Sequence, residues 1–401
     1  MSAAAPTSTE HRFIEPLDVL FLRGNKLFGD PGSYGESLVP PWPSAAAGAL
    51  RSQMLAHEGF DLAAFAKGQI THPSLGTPQA PGSFALTAFT LARQKTDGTL
   101  ETLHALPADL VVTKVEGKEV GLTARDMNAE DEHHIQSLRP LPLSHRLQSS
   151  GTLAQLPVLP ETKRRKAETG LWLTQSGWHK YLNGQLPDPK QDLVKTNALW
   201  AIDSRVGIGM NADTRSADEG QLFTTQAVVF QSDIGFLVSV HGASLPPRGT
   251  LRLGGDGRAA RSQSVEHQTP QADLQAIVSQ ERCRIVLTTP GLFAQGWLPN
   301  GITESDDGNH WLDLHGVRAR LVCANVPRAE TISGWDLARW QPKAALRAAP
   351  TGSVYWLDQL QATPESLGKL AENGFWSASC EDAQRRAEGF NRFAIAAYDC
   401  A

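Results

Sequence analysis

The chain has 401 residues, 41% of them hydrophobic and 20% charged, with a formal charge of −5. That length exceeds what one hydrophobic core usually serves, so two or three globular units or one duplicated fold are expected. No apolar run approaches the roughly 18–20 residues of a membrane span, and the acidic balance excludes a globally basic nucleic-acid binder: any RNA contact needs a local groove of positive charge or help from partner subunits.

The small, polar residues 1–10 have neither the basic head nor the apolar core of a secretion signal, which predicts a cytoplasmic protein with no membrane partner. Residues 12–22 are rich in apolar, β-compatible types and read as a first strand. It runs into a basic turn that holds Arg23, Asn25 and Lys26. After a Gly- and Pro-rich stretch, residues 43–57 have helical composition, with Gly48 the only weak point and Arg51 inside the helix. Residues 84–93 and 99–104 flank an Asp-Gly pair and read as a hairpin. Strand, helix, hairpin is the opening of a ferredoxin-like unit, and of many other α+β folds as well. Residues 125–160 are charged, Pro-rich and weakly periodic, which predicts a long or partly disordered excursion. The aromatics and leucines of 170–183 (Leu171, Trp172, Trp178, Tyr181, Leu182) line one helical face for packing.

Residues 203–223 hold glycines, two arginines and turn formers between apolar flanks, and read as a long hairpin arm. Arg205 and Arg215 offer guanidinium forks to phosphate or carboxylate oxygens, and Gly207 allows a sharp bend or close approach. The alternative is a surface hairpin with merely solvated arginines. A further hairpin spans 221–230 and 234–241, and the strand at 250–253 runs into Gly254, Gly255, Asp256, Gly257 and Arg258. Such a loop is able to present backbone N–H groups to an anion, yet it lacks the P-loop and dinucleotide-binding patterns, so nucleotide hydrolysis is not indicated. Strands follow at 282–289 and 317–325, then an α+β segment at 334–340 and 352–357, and a glycine turn into a last strand within 387–398. Cys283, Cys323, Cys380 and Cys400 are widely spaced without a Cys-x-x-Cys pair, as expected of reduced thiols in a protein with no zinc knuckle or disulfide framework. No metal or other cofactor is expected.

Gly48-Ala-Leu-Arg51, Arg205-Val-Gly-Ile208 with 214–223, Leu253-Gly-Gly-Asp-Gly-Arg258, Thr289-Pro-Gly with Gly296-Trp-Leu-Pro299, Ile332-Ser-Gly-Trp-Asp-Leu337, Pro350-Thr-Gly-Ser-Val-Tyr-Trp356 and Glu388-Gly-Phe390 occur in this order. Together they resemble the third Cmr subunit family, a component of type III-B CRISPR effectors in the RAMP superfamily. The resemblance implies an α+β chain of two ferredoxin-like (RRM-like) domains with long inserted loops and a hairpin thumb, divided here as 1–190, with an insertion around 125–166, and 191–401. It also implies a non-catalytic, RNA-binding subunit of a ribonucleoprotein in antiviral defence. Such a subunit holds the 5′ tag of the crRNA, docks on the Cas10-type large subunit beside the backbone RAMP subunits, and meets target RNA indirectly. By the same resemblance Ser44, Arg51, Gly389, Asn391 and Arg392 approach the RNA backbone, although Glu388-Gly-Phe-Asn-Arg392 is poorer in glycine than the family's usual loop.

Two rivals remain. A metal-independent endoribonuclease of the same superfamily would use a histidine such as His11 or His57 as general acid or base, but neither has a partner base or lysine at an obvious spacing. A purely structural interaction module would leave the arginines solvated. A Ser-His-Asp hydrolase is weaker still, because no Gly-x-Ser-x-Gly elbow occurs.

Overall fold

The computed structural model describes residues 9–24, 34–114, 133–144, 147–161, 165–211, 213–336 and 338–398, with only the backbone at 34–35 and 218–221. The architecture is mixed, strand-rich and built on antiparallel sheets with few helices. From edge to edge, the larger sheet runs Leu193–Lys195, Leu171–Leu173, Leu100–Ala105, Ala85–Gln94, Ile234–His241, Glu10–Pro16, Ala259–Ser264, Arg248–Arg252. It crosses position 190, where the sequence reading put a boundary, because the strands from 234–264 pair with those from 10–105.

Ile234–His241 is buried from its first residue to Val240, as a strand covered on both faces must be. Ile14 on the neighbouring strand joins the core beneath the helix, while Phe13, pointing the other way, packs with Ala92 and Leu237. The helix Pro43–His57 starts on a proline whose fixed φ suits the first turn. It buries Ala46, Ala47, Leu50 and Met54 against the sheet, leaving Gly48 exposed on its outer side.

The second sheet has the order Ile302–Glu304, His310–Leu314, Val317–Asn325, Val354–Gln361, Cys283–Leu287, Phe393–Ala396. The helix Pro364–Asn373 opens with a capping box between Thr363 and Ser366 and buries Leu367 and Leu370 in that sheet's core. Between the sheets a third core joins Leu110, Val112, Trp178 and Tyr181 to Val286, Val354 and Trp356. At its centre Asp109 accepts from Arg284 Nη1 at 2.6 Å and from the Tyr181 hydroxyl at 2.9 Å.

Some elements differ from the sequence reading. Leu171 and Trp172 lie on a short strand, and the helix is confined to Gln175–Leu182, because Thr174 accepts from Gly177 N and caps the helix there. The described part of the 125–166 excursion forms hairpins, His133–Ser137 on Leu110–Lys114 and Arg139–Pro142 on Gln155–Val158. The described residues of 334–340 form no helix: Trp335–Asp336 pairs with Gln341–Pro342.

Candidate nucleic-acid interface

The expected arm exists and is longer than its sequence suggests: Trp200–Met210 pairs with Ala217–Phe230, in register from Trp200 opposite Phe230 to Ile208 opposite Leu222 and then shifted before Met210 meets Ala217. Its even-numbered face carries Val206, Ile208 and Met210, which with Leu222 opposite are about half exposed or more. Gly207 has a reason inside the chain: a Cβ there would lie 2.3 Å from the Phe223 ring. Arg215 sits at the arm's tip with a positive φ of 51°, five strand residues and about 17 Å beyond the level of Arg205 at 3.3 Å per residue.

At the arm's root the chain from 19 to 23 runs between the arm and the glycine loop, bridging Leu20 to Val228 and Phe21 to Gly255. Phe21 is buried with Val19 and Ala227. The guanidinium of Arg205 stands 5.9 Å from the centre of the Phe21 ring and that of Arg258 stands 5.2 Å from it. Arg23, on the same segment, faces Asp256 at 3.6 Å. The sequence-separated candidates Arg205 and Arg258 therefore meet at one aromatic ring that sequence reasoning had assigned only to a strand, with Gly254 and Gly255 against the Phe21 backbone and Arg23 beside the same loop.

The glycine loop shapes this cluster. Gly254 has φ 78°, and a Cβ on it would come within 2.6 Å of the Phe21 carbonyl oxygen, so only glycine fits. The Gly255 N–H donates to that same oxygen at 2.8 Å. This amide is thus spent inside the fold, which corrects the expectation that it faces an anion. The loop's contribution is to set Phe21 and Arg258 in place.

Each arginine of the cluster has an acidic neighbour: Asp203 for Arg205 at 2.8 Å, Asp18 for Arg258 at 2.9 Å, and Asp256 for Arg23. These pairs are solvent-accessible on both sides and of the kind worth about 0–1 kcal/mol, so a phosphate displaces them at little cost. They orient the guanidiniums meanwhile, and a guanidinium has five N–H donors. The Arg205 Nε is the donor to Asp203, and the buried Arg258 Nε has no partner.

A second group gathers around the first helix. Ser44 and Arg51 are seven residues apart, two turns on one face, with exposed Gly48 between them. Trp42 caps the helix without a side-chain bond, and the first turn has no acidic residue, leaving the positive end of the helix dipole uncompensated by the helix's own side chains. Arg51 stacks over Phe84 at 5.0 Å. Burial lowers its pKa, while nearby Glu388 pulls it back up. Glu388 is buried between Lys343 Nζ and Arg385 Nη1, so three cations surround one carboxylate.

The loop 389–392 is interior. Asn391 is fully buried and bonds both the N–H and the carbonyl of Leu292. Arg392 is buried with Nη1 on the Glu372 carbonyl, and burial brings its pKa down to about 10. A Cβ on Gly389 would strike Leu86 at 2.6 Å. Gly389 therefore lies against the larger sheet while Asn391 and Arg392 are bonded within the second half, and their side-chain positions lie away from a surface groove. Asn25 and Lys26 lie outside the described residues.

His11 accepts or donates one bond with Ser239 Oγ at 2.8 Å and meets the His267 ring edge-on at 5.7 Å. Burial, and then Arg12, lowers its pKa; burial lowers His267 to about 4. Both rings are poor proton donors at neutral pH. His57 is exposed at the end of the first helix. Among the described residues no group of three or more His, Cys, Asp or Glu side chains is arranged to hold a metal ion, and no helix is long and apolar enough to cross a membrane.

A model of the family described as CRISPR-associated protein (Cas_Cmr3) matches residues 12–397. No curated protein matches the chain significantly. Among solved structures, the chain is similar to one in the type III-B Cmr-beta bound to cognate target RNA and AMPPnP, state 1. That match has 13% identity and a TM-score of 0.41 over 90% of this chain and 88% of the other. It is also similar to a chain in Cmr-beta bound to cognate target RNA, at 14% identity and a TM-score of 0.41 over 86% of each chain.

Proposed function

The chain belongs to the Cas_Cmr3 family of CRISPR-associated proteins, the third-subunit family of the type III-B Cmr effector, and from that premise we propose that it is the complex's non-catalytic RNA-holding subunit. In this reading it grips the 5′ tag of the crRNA, docks on the Cas10-type large subunit beside the backbone RAMP subunits, and leaves bond breaking to its neighbours. The observation that carries the reading is the convergence of Arg205 and Arg258 on Phe21 where the arm leaves the body, with Arg23 close by against Asp256 of the glycine loop. Guanidiniums at the root of a protruding hairpin suit a phosphate chain passing beneath it, and phosphate contacts fix register without reading sequence. The half-exposed Val206, Ile208, Met210 and Leu222 then lie where the arm would wedge beside bases.

A ferredoxin-like reading of both halves belongs to the same proposal. Its support is the strand order around each centre: Ala259–Ser264, Glu10–Pro16, Ile234–His241, Ala85–Gln94 in one sheet and Phe393–Ala396, Cys283–Leu287, Val354–Gln361, Val317–Asn325 in the other. Taken by position in the chain, each is fourth, first, third, second, the order of a split β-α-β unit. The lowered pKa values of His11 and His267 give the endoribonuclease alternative no support.

The test is a salt titration of crRNA binding by the full chain and by an Arg23→Ala, Arg205→Ala, Arg258→Ala variant. Three lost phosphate contacts should reduce the salt slope by about 2, at about 0.7 per contact for single strands, which is roughly a 20-fold change between 50 and 200 mM salt. An unchanged slope removes the proposed contacts, and cleavage of the RNA by the purified chain removes the non-catalytic reading.

A further inference from the structure

The segment from Arg328 to Ala348 leaves the second sheet as a separate hairpin whose role nothing above explains. Its root is anchored: Ile332 and Ala348 are buried against Trp376 and Phe390, with half-buried Trp42 alongside. Glu330–Ile332 pairs with Leu346–Ala348, and Trp335–Asp336 pairs with Gln341–Pro342 further out. The tip is held as well, because Asp336 Oδ1 accepts from the N–H groups of Ala338 and Arg339 at 2.9 and 3.1 Å.

The described residues of the tip present two indoles to solvent. Trp335 is 49% exposed and Trp340 74% exposed, for a residue type that is ordinarily well covered. The rings meet at 6.1 Å and 87°, so they brace one another edge-to-face and leave an outer ring face open. Trp340 holds a φ of 54°, a left-handed conformation costly for a bulky side chain. Packing beneath the tip does not account for that cost, since the ring it positions is the most exposed large apolar side chain among the described residues.

The chemistry of the ligand follows from the charges. Residues 328–348 carry Arg328, Arg339, Lys343 and Arg347 against Glu330 and Asp336. Arg328 and Arg347 are exposed with no ion pair among the described residues. Open aromatic faces amid surplus cations are what an unpaired nucleobase and its phosphates need, whereas an apolar protein patch would not call for the charge. The root also touches Trp42, the cap of the first helix, which carries the candidates Ser44 and Arg51.

We propose that the Trp335–Trp340 tip is a stacking platform for an unpaired base of single-stranded RNA, flanked by arginines for the adjoining phosphates. This inference rests on the RNA-holding reading and adds a base-stacking site to its phosphate contacts. It is tested with the full-length chain and a short single-stranded RNA, intact or with one abasic position moved along its length. Wild type should bind the intact strand about 5- to 150-fold more tightly than the strand abasic at the stacked position. Trp335→Ala with Trp340→Ala should erase that difference with the salt slope unchanged, and Trp335→Phe with Trp340→Phe should restore most of it. If the alanine variant keeps the preference for the intact base, the platform is refuted while the phosphate contacts stand. If the alanine variant keeps that preference but no longer assembles with the large subunit, the tip is a protein contact and the inference is again refuted. If wild type binds neither RNA, the parent reading fails and this one with it.

Discussion

Replacing Asp109 by alanine should be among the most damaging single changes in the chain, because the carboxylate is fully buried beside an almost fully buried arginine. Asp109 is 0% and Arg284 5% exposed at the side chain, with 2.6 Å between them. The substitution takes away the carboxylate and leaves Arg284 with neutral partners such as the Tyr181 carbonyl at 2.9 Å and the Tyr181 ring at 3.9 Å. The Tyr181 hydroxyl also loses its acceptor. An uncompensated buried charge of this kind costs about 3–5 kcal/mol. Removing both partners with Asp109→Ala and Arg284→Met takes the charge away, so the double variant should be more stable than Asp109→Ala alone by about 2 kcal/mol. Urea unfolding followed by tryptophan fluorescence measures both. The reasoning fails if Asp109→Ala costs less than about 1 kcal/mol, or if the double variant is no more stable than the single one. Because the pair joins the segment beside Leu110–Lys114 to a central strand of the second sheet, its loss should also make the two halves separately sensitive to protease.

Gly254→Ala forces a Cβ to within 2.6 Å of the Phe21 carbonyl at a φ of 78°, and should cost at least 1–2 kcal/mol while weakening RNA binding through the displaced Arg258; normal stability with normal binding would show the loop to be unimportant. Acidification should destabilise the fold between pH 6.5 and about 4. His104 is held near 3 by burial and then by His267, and His267 near 4; the unfolded chain, titrating near 6.5, therefore binds more protons in that window and stability falls as pH drops. His104→Gln should flatten the dependence of the urea midpoint on pH, and an unaltered dependence would mean the ring is already solvated in the fold.

The sequence was most legible where local chemistry decides structure. The helix Pro43–His57 has the predicted bounds, and the Asp-Gly turn between 94 and 100 joins the predicted strands. The arm was recognisable because its turn formers and alternation are contiguous. Phe21 was not recognisable as an organiser, since a phenylalanine within an apolar run gives no sign that Gly255 and the arm's root will close on it. Asn391 and Arg392 were assigned to the RNA backbone by the family resemblance, and only the tertiary fold supplies Leu292 and Glu372 as their partners. Lys343, forty-five residues from Glu388, carries no local signal of its pairing. The helix Pro364–Asn373 did carry one, the Thr-Pro-Glu-Ser start of a capped helix, but the sequence reading left the whole segment unassigned.

The larger sheet has its middle member supplied late. Ile234–His241 lies between Glu10–Pro16 and Ala85–Gln94, so during synthesis those earlier strands wait, with open edges, through more than a hundred residues before their shared neighbour leaves the ribosome. Open apolar edges invite wrong pairings, and contacts this distant along the chain close slowly. The nascent polypeptide is therefore exposed to chaperones and to premature association for most of its translation.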